Sequence, residues 1–489
     1  MILERAVDLI EDEALLGRFF SGQSWHTHLA VLKAAAALPL TDEELQLFRT
    51  VAGDRNPPTQ PVKELDYAAG RRSGKDSIAS AIVAAAALGD YRKYCRPGET
   101  PLIACIACDR AQSRIIYKYV SAYFNEVPML RQLLVGEPSG DGFVLANGNA
   151  VEIFTNNFRS VRGRTLVCVV LDECAFYRDD RSANPDLELY NALLPGLVTI
   201  PSAMMILISS PYRKGGLLYE RYRETFSRDD NETLFVTGAS RTFNPTLSED
   251  FIDKQIARDP QAAVAEWLGR FRDDIGSWIS RELIDAAIQT GCTLRPRVPG
   301  VRYFGFVDVS GMRSDDFAVA IANAEGRGEE RSVVLDAVKV WSPPGSPELA
   351  TKQCADFLKS FGLSSVTGDR YGGEWPVDSF KKYGIRYEPA GQSKSELYLE
   401  ALPLFTSGRV NLLDIPKLTA QLANLERRTA RGGRDSIDHP PGAHDDLANS
   451  VAGALVLAAA KKTMTISPEL LARARALTPS RRYPPSVYF

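Results

Sequence analysis

The chain has 489 residues, 45% hydrophobic and 24% charged, with a net charge of −3 at pH 7. That length suits roughly two or three domains with large cores, and that charge excludes a globally basic nucleic-acid binder, so phosphate contacts must come from local patches. There is no secretory signal order at the N-terminus and no apolar run near the ~20 residues of a membrane span, and seven scattered cysteines fit a reducing, cytoplasmic setting.

Residues 1–60 read as mostly helical, broken at Asn56-Pro57-Pro58. From 61 to 243, strand-like runs alternate with helical patterns. The runs are Leu65–Ala68, Leu102–Ala107, Ala150–Phe154, Leu166–Leu171, Met204–Ser209 and Thr233–Thr237, and the alternation predicts an α/β unit with a mostly parallel sheet. After the first run comes Ala69-Gly70-Arg71-Arg72-Ser73-Gly74-Lys75, then an Ala-rich helix predicted over Ser77–Leu88. Backbone N–H groups of such a loop, with a helix N-terminus behind them, cradle phosphate, and Lys75 reaches the β- and γ-phosphates. The expected contacts to ATP are Gly70, Arg71, Arg72, Ser73, Gly74, Lys75, Asp76 and Ser77. The loop departs from the usual pattern in two places. Ala69 or Gly70 stands for the first Gly, and Asp76 stands where a Ser or Thr usually holds Mg²⁺, with Ser77 just behind.

The apolar run ending in Asp172-Glu173 is expected to deliver two carboxylates to the sheet edge. Asp172 would hold Mg²⁺ and Glu173 would activate water. Arg162, in a basic stretch with Arg159 and Arg164, is the candidate finger for transition-state charge, with Arg71 and Arg72 as rivals. Ser209, at the end of a further run, is expected to sense the γ-phosphate. Cys105 and Cys108 form a lone C-x-x-C inside a buried strand, which reads as core packing rather than zinc.

Residues 244–300 read as a helical connector, with Ser248 as a cap and one periodic stretch from Phe251 to Phe271. A second α/β unit spans 301–461, opening with three runs, Tyr303–Asp308, Phe317–Asn323 and Ser332–Val338, in the order of a ribonuclease H-like nuclease domain. Asp308 and Asp369 end strands, and Asp445 and Asp446 open an apolar-faced helix. Carboxylates converging from separate elements are what two Mg²⁺ or Mn²⁺ ions need for phosphodiester hydrolysis. The bland alternative is that these acids start turns and cap a helix. Arg427, Arg428, Arg431 and Arg434 read as a basic hairpin tracking DNA phosphates, and Lys394 as a further phosphate contact. His439 and His444 flank the acids. Residues 462–489 read as a flexible tail.

In this order the motifs resemble the large terminase subunit of tailed double-stranded DNA bacteriophages. The resemblance runs from the Gly70–Lys75 loop through Arg162–Arg164, Asp172-Glu173, Ser209-Ser210-Pro211, and Asn244-Pro245 with Glu266, Phe271 and Asp274. It continues through Asp308, Asp369 and the Asp438–Asp446 segment. It implies a P-loop ATPase joined to a nuclease. Such a protein packages double-stranded DNA into a procapsid, binds a small terminase subunit, and docks on the portal protein as a pentameric ring. It also implies a place in the cytoplasm of an infected bacterial host and absence from the mature virion. Two readings compete: an ATP-regulated integrase or resolvase, and a nucleotide-binding scaffold with decayed sites.

Overall fold

The computed structural model describes residues 1–108, 110–155, 161, 163–177, 185–326, 331–369, 374–429 and 435–460. Arg162, Arg159, Arg431, Arg434 and the tail lie outside these residues.

The first sheet is built from apolar runs too buried to alternate. It contains β1 (Glu64–Ala69), β2 (Leu102–Ala107), β3 (Gly142–Val144), β4 (Ala150–Thr155), β5 (Leu166–Asp172), β6 (Met204–Ser209) and β7 (Thr233–Gly238). The strand order is β3-β4-β2-β5-β6-β1-β7, with every pair parallel except β3–β4. β1, β2, β5 and β6 are buried along their whole length, as a sheet covered on both faces requires. Register decides what meets at the edge: Ala68 of β1 pairs with Ser209 of β6, and Asp172 of β5 pairs with Ile208. The ends of these strands therefore open on one side, where ligands bind in open parallel sheets.

Helices α1 (Ile2–Glu11), α2 (His26–Ala35) and α3 (Asp42–Ala52) share one continuous core with this sheet and with α4 (Lys75–Ala87). A capping box starts α3: Thr41 accepts from the Glu44 N–H while the Glu44 carboxylate accepts from the Thr41 N–H. Helix α5 (Arg110–Glu126) follows β2 and packs against α4.

The charged, periodic stretch expected from Phe251 to Phe271 is interrupted at Asp259 and its helix ends at Glu266. It is two helices, Glu249–Arg258 and Pro260–Glu266, separated at Asp259. Pro260 has no N–H to continue the first helix, and the Asp259 carboxylate accepts from the Ala262 N–H to start the second. Ser248 caps the first as expected, accepting from the Phe251 N–H. The rest of the connector is not purely helical: β8 (Ile275–Ser277) and β9 (Ile288–Gln289) join the sheets of the second half.

That half holds β10 (Tyr303–Asp308), β11 (Phe317–Glu325), β12 (Ser332–Trp341), β13 (Ser365–Gly368), β14 (Arg386–Pro389) and β15 (Val410–Leu413). With β9 they form a seven-stranded sheet ordered β14-β13-β10-β11-β12-β15-β9. β10, β11 and β12 are an antiparallel meander, and the flanking strands are parallel. Val307 pairs with Gly368, so Asp308 and Asp369 leave adjacent strands side by side. The helix Asp446–Ala459 lies across this meander. Gly453 permits the close approach, since a Cβ there would sit 2.3 Å from the Phe306 ring.

A third, antiparallel sheet of β8, β16 (Glu426–Thr429) and β17 (Asp435–Asp438) stands between the halves. Tyr212, just past β6, donates its hydroxyl to the buried Glu426 carboxylate at 2.9 Å.

Candidate functional site

Two clusters of charged side chains lie at strand ends, one in each half. In the first, β1 ends at Ala69 and the loop turns into α4 through Gly74, whose φ of +100° is left-handed and favours glycine. Arg72 is also left-handed, at φ +61°. Such alternation turns successive N–H groups toward one point, an anion-binding concavity. The loop is tied at its back. The Arg71 N–H donates to the Glu266 carbonyl at 2.6 Å and its guanidinium pairs with the Glu266 carboxylate at 3.0 Å. Asn244 donates to the Arg72 carbonyl at 3.1 Å.

His28, which belongs to no motif in the sequence, holds the loop from below. It is fully buried, with one ring nitrogen 2.8 Å from the Ser73 carbonyl and the other 2.8 Å from the Tyr67 hydroxyl. Burial lowers its pKa to about 4, so the ring is neutral at pH 7.

Lys75 is buried and 3.1 Å from the Glu173 carboxylate. Burial would lower its pKa, but the charges of Glu173, Asp76 and Asp172 outweigh that and raise it. Glu173 is the first residue past β5 and sits in the left-handed region at φ +50°, strain that marks functional turns. Its other oxygen accepts from the Ser209 hydroxyl at 3.0 Å and the Ser210 N–H at 3.3 Å. Ser209, expected to read the phosphate end, is thus wired to the expected water-activating carboxylate. The Asp172 Oδ1, Asp76 Oδ1 and Ser73 Oγ atoms are out of solvent and have no hydrogen-bond partner. Burial first, then neighbouring carboxylates, pushes the Asp172 carboxyl well above the usual range. Burial raises Asp76 too. Orphaned oxygens on two mutually repelling acids fit a divalent cation. All the loop residues from Arg71 to Ser77, with Glu173 and Ser210, line one cavity of about 660 Å³.

In the second cluster, Asp308, Asp369, Asp445 and Asp446 line a cavity of about 240 Å³. The capping alternative for Asp445 fails: the residue stands at the N-cap position but makes no side-chain cap bond. Its oxygens accept instead from Lys394 at 3.1–3.2 Å and from the Tyr398 hydroxyl at 2.9 Å. Asp446 accepts from the Asp316 N–H at 3.3 Å. Asn449, one turn along the same helix, donates to both Asp308 at 2.6 Å and Asp369 at 3.1 Å. Burial first, then the charges of Asp446, Asp369 and Asp445, holds the Asp308 carboxyl well above its ordinary range, against the opposing Asn449 hydrogen bond. Burial and the neighbouring Asp445 and Asp316 push Asp446 up to about 6. Carboxylates gathered against their own repulsion fit divalent ions, which take oxygen ligands.

Arg427 pairs with Asp435, and Arg428 pairs with Glu426 at 3.1 Å, so in this structure the two guanidiniums have acidic partners within the hairpin. Lys394 is likewise engaged, bridging Asp438 at 2.7 Å and Asp445. Asp438, His439 and Asp445 bring their donor atoms within 4.8 Å of one another, but the Lys394 ammonium already holds both acids. His444 lies 3.3 Å from Asp315 at the cavity mouth. Cys105 is buried in β2 as core packing. The proposed finger Arg162 falls outside the described residues.

Asn449 carried a signal, lying three residues after Asp446 and four after Asp445 on one helix face. Tyr398 and His28 carried none, because their partners are far away in the chain.

No family's sequence profile matches the chain, and no curated protein matches it. Among solved structures it is similar to the large terminase of bacteriophage HK97, with 17% identity, a TM-score of 0.42, and coverage of 94% of this chain and 99% of that one. It is similar to the large terminase of a thermophilic bacteriophage, at 10% identity and a TM-score of 0.38, covering 88% and 97%. The large terminase nuclease of a second thermophilic phage, G20c, matches at 16% identity and a TM-score of 0.31, over 38% of this chain and 99% of that one. Every one of these scores is below 0.5, so the functional reading below rests on the side chains. Among the described residues no helix is long and apolar enough to cross a membrane.

Proposed function

We propose that the chain is an ATP-driven motor that moves double-stranded DNA and cuts it with a metal-dependent nuclease, in the manner of a large terminase subunit. The observation that carries this reading is the pairing, in one polypeptide, of the Lys75–Glu173–Ser209 cluster with the Asp308–Asp369–Asp446 cluster.

In the first site, loop N–H groups and Lys75 bind the phosphates. Glu173 orients a water and takes its proton, and Ser209 holds the Glu173 carboxylate in position. Asp172 and Asp76 hold Mg²⁺, which neutralises phosphate charge when bound. Asp76 fills the role more often given to a hydroxyl residue.

In the second site, Asp308, Asp369 and Asp446 are the principal ligands, because Lys394 and Tyr398 already compensate Asp445. These acids would hold two Mg²⁺ or Mn²⁺ ions, whose charge would supply Lewis-acid catalysis of phosphodiester hydrolysis. Asn449 keeps Asp308 and Asp369 in register for them. A small terminase subunit, a portal-docked pentameric ring and a cytoplasmic place in an infected bacterium belong to this reading.

The test is cleavage of plasmid DNA in Mg²⁺ or Mn²⁺ by wild type and Asp308→Ala, with ATP turnover measured on the same preparations. Cleavage lost in the variant while turnover persists supports the reading. Equal cleavage by both overturns the second site, and absent turnover overturns the first.

A further inference from the structure

The loop cavity has a wall that phosphate chemistry does not use. Helix α5 turns its buried face, including Ile116, Val120 and Phe124, into the core. On another face Ile115 and Tyr119, four residues apart and so one above the other, are 42% and 43% exposed. Large apolar side chains left open on a helix that already has a core are informative when they line a pocket. These two line the same cavity as Gly74 and Lys75.

The other walls already have partners. Arg71 and Glu266 form an ion pair at 3.0 Å. Glu173 and Ser210 are bonded to each other. Phe176 packs on Tyr212, with ring centroids 5.1 Å apart. For a triphosphate anchored at Lys75, the more exposed apolar surface of this cavity on which to lay a flat ring is that of Ile115 and Tyr119.

We infer that Ile115 and Tyr119 form a nucleobase subsite, with the Tyr119 ring stacking on the base of a purine nucleoside triphosphate. This rests on the reading of the loop as a nucleotide site. Stacking uses the π-face that every base has and grows with ring area. The subsite therefore separates nucleotides from inorganic triphosphate, and purines from pyrimidines, more strongly than adenine from guanine.

The experiment uses the full chain. The KM and kcat for MgATP are measured for wild type, Tyr119→Ala and Tyr119→Phe, together with the inhibition constant of inorganic tripolyphosphate. Tyr119→Ala is expected to raise the KM about tenfold, a typical loss for one stacked base. The kcat and the tripolyphosphate constant stay put, and Tyr119→Phe restores the wild-type KM. An unchanged KM in Tyr119→Ala overturns the inference. So does an equal loss of ATP and tripolyphosphate affinity, which would place Tyr119 in support of the loop or of assembly. If wild type neither binds nor hydrolyses ATP, the nucleotide reading itself falls and takes the subsite with it.

Discussion

The two clusters place their built-in cation differently. At the end of β5 the carboxylate of Glu173 has its counter-ion built in, 3.1 Å away on Lys75. At the end of β10, Asp308 and Asp369 share one neutral amide, that of Asn449. In both, acids outnumber the built-in cation, but Lys75 lies on the expected water-activating carboxylate, whereas Lys394 lies on Asp445 and Asp438 rather than on Asp308. Burying unlike charges together is tolerable, whereas gathering like charges is costly until something binds. The difference implies that a ligand at the first site must rearrange the Lys75–Glu173 pair, whereas a cation at the second adds to carboxylates that Lys394 does not hold.

The sharpest way to break that comparison is to remove the acid paired with Lys75. Glu173→Gln is expected to cut ATP turnover by about 10²–10⁴-fold, the usual worth of a positioned general base, with DNA cleavage retained. If Glu173→Gln hydrolyses ATP at the wild-type rate, Lys75 and Glu173 are a structural ion pair and nothing more.

Acid should act on the halves with opposite sign. His28 is neutral and buried with its pKa lowered to about 4, so between pH 6.5 and 4 the unfolded chain binds the proton that the folded one refuses. Stability from this group is fully present above pH 6.5 and is lost as pH falls toward 4, about 3 kcal/mol in all. Asp446, raised to about 6, has the opposite slope: its folded form gains from protonation, so its contribution to stability falls as pH rises from the unfolded value near 3.8. Urea denaturation of wild type and His28→Gln from pH 7 to pH 4.5, without divalent ions, reads the first term as the difference between them. Parallel curves would show that His28 is not the acid-sensitive group.

Metal dependence tests the second site more finely. Asn449→Ala leaves all four acids in place but frees Asp308 and Asp369 to move apart. Cleavage is expected to fall by about 10–100-fold, with more Mn²⁺ needed for half-maximal rate, as for other residues that orient metal ligands. A drop in rate with unchanged Mn²⁺ dependence would give Asn449 a role in packing alone. The smallest effect is expected between the halves. Tyr212→Phe removes the hydroxyl bonded to Glu426 and should cost about 1–3 kcal/mol in denaturation, the loss for a hydrogen bond to a buried charged group. No change would mean that Arg428 satisfies Glu426 unaided.

Whatever depended on neighbours in the chain was legible in the sequence. The alternating apolar runs around Gly70–Lys75 place a loop between strand and helix, and the run before Asp172-Glu173 is a buried strand. Asp308 and Asp369 stand at strand ends because the apolar stretches before them stop there. What depended on packing was not legible. Lys394 and Asp445 are joined only when the Lys394–Thr406 helix lies beside the Asp446–Ala459 helix. Arg427 meets Asp435 only across the hairpin, whereas Glu426, two residues before Arg428 on the same strand, was a partner the sequence already offered. In the connector, charge and periodicity continue across Asp259-Pro260 although helical hydrogen bonding there cannot.

The contact of His28 with the Ser73 carbonyl also bears on how the protein can be divided. The Pro-rich break near residue 57 invites a truncation there, as though the preceding helices were an accessory. Yet Leu3, Val7, Val31, Phe48 and Val51 belong to the same buried core as Ile82 of α4 and Val170 of β5. A fragment beginning after the break would expose that core and leave the phosphate loop without its underside. The smallest unit in which the loop keeps its shape therefore begins with the opening helix of the chain.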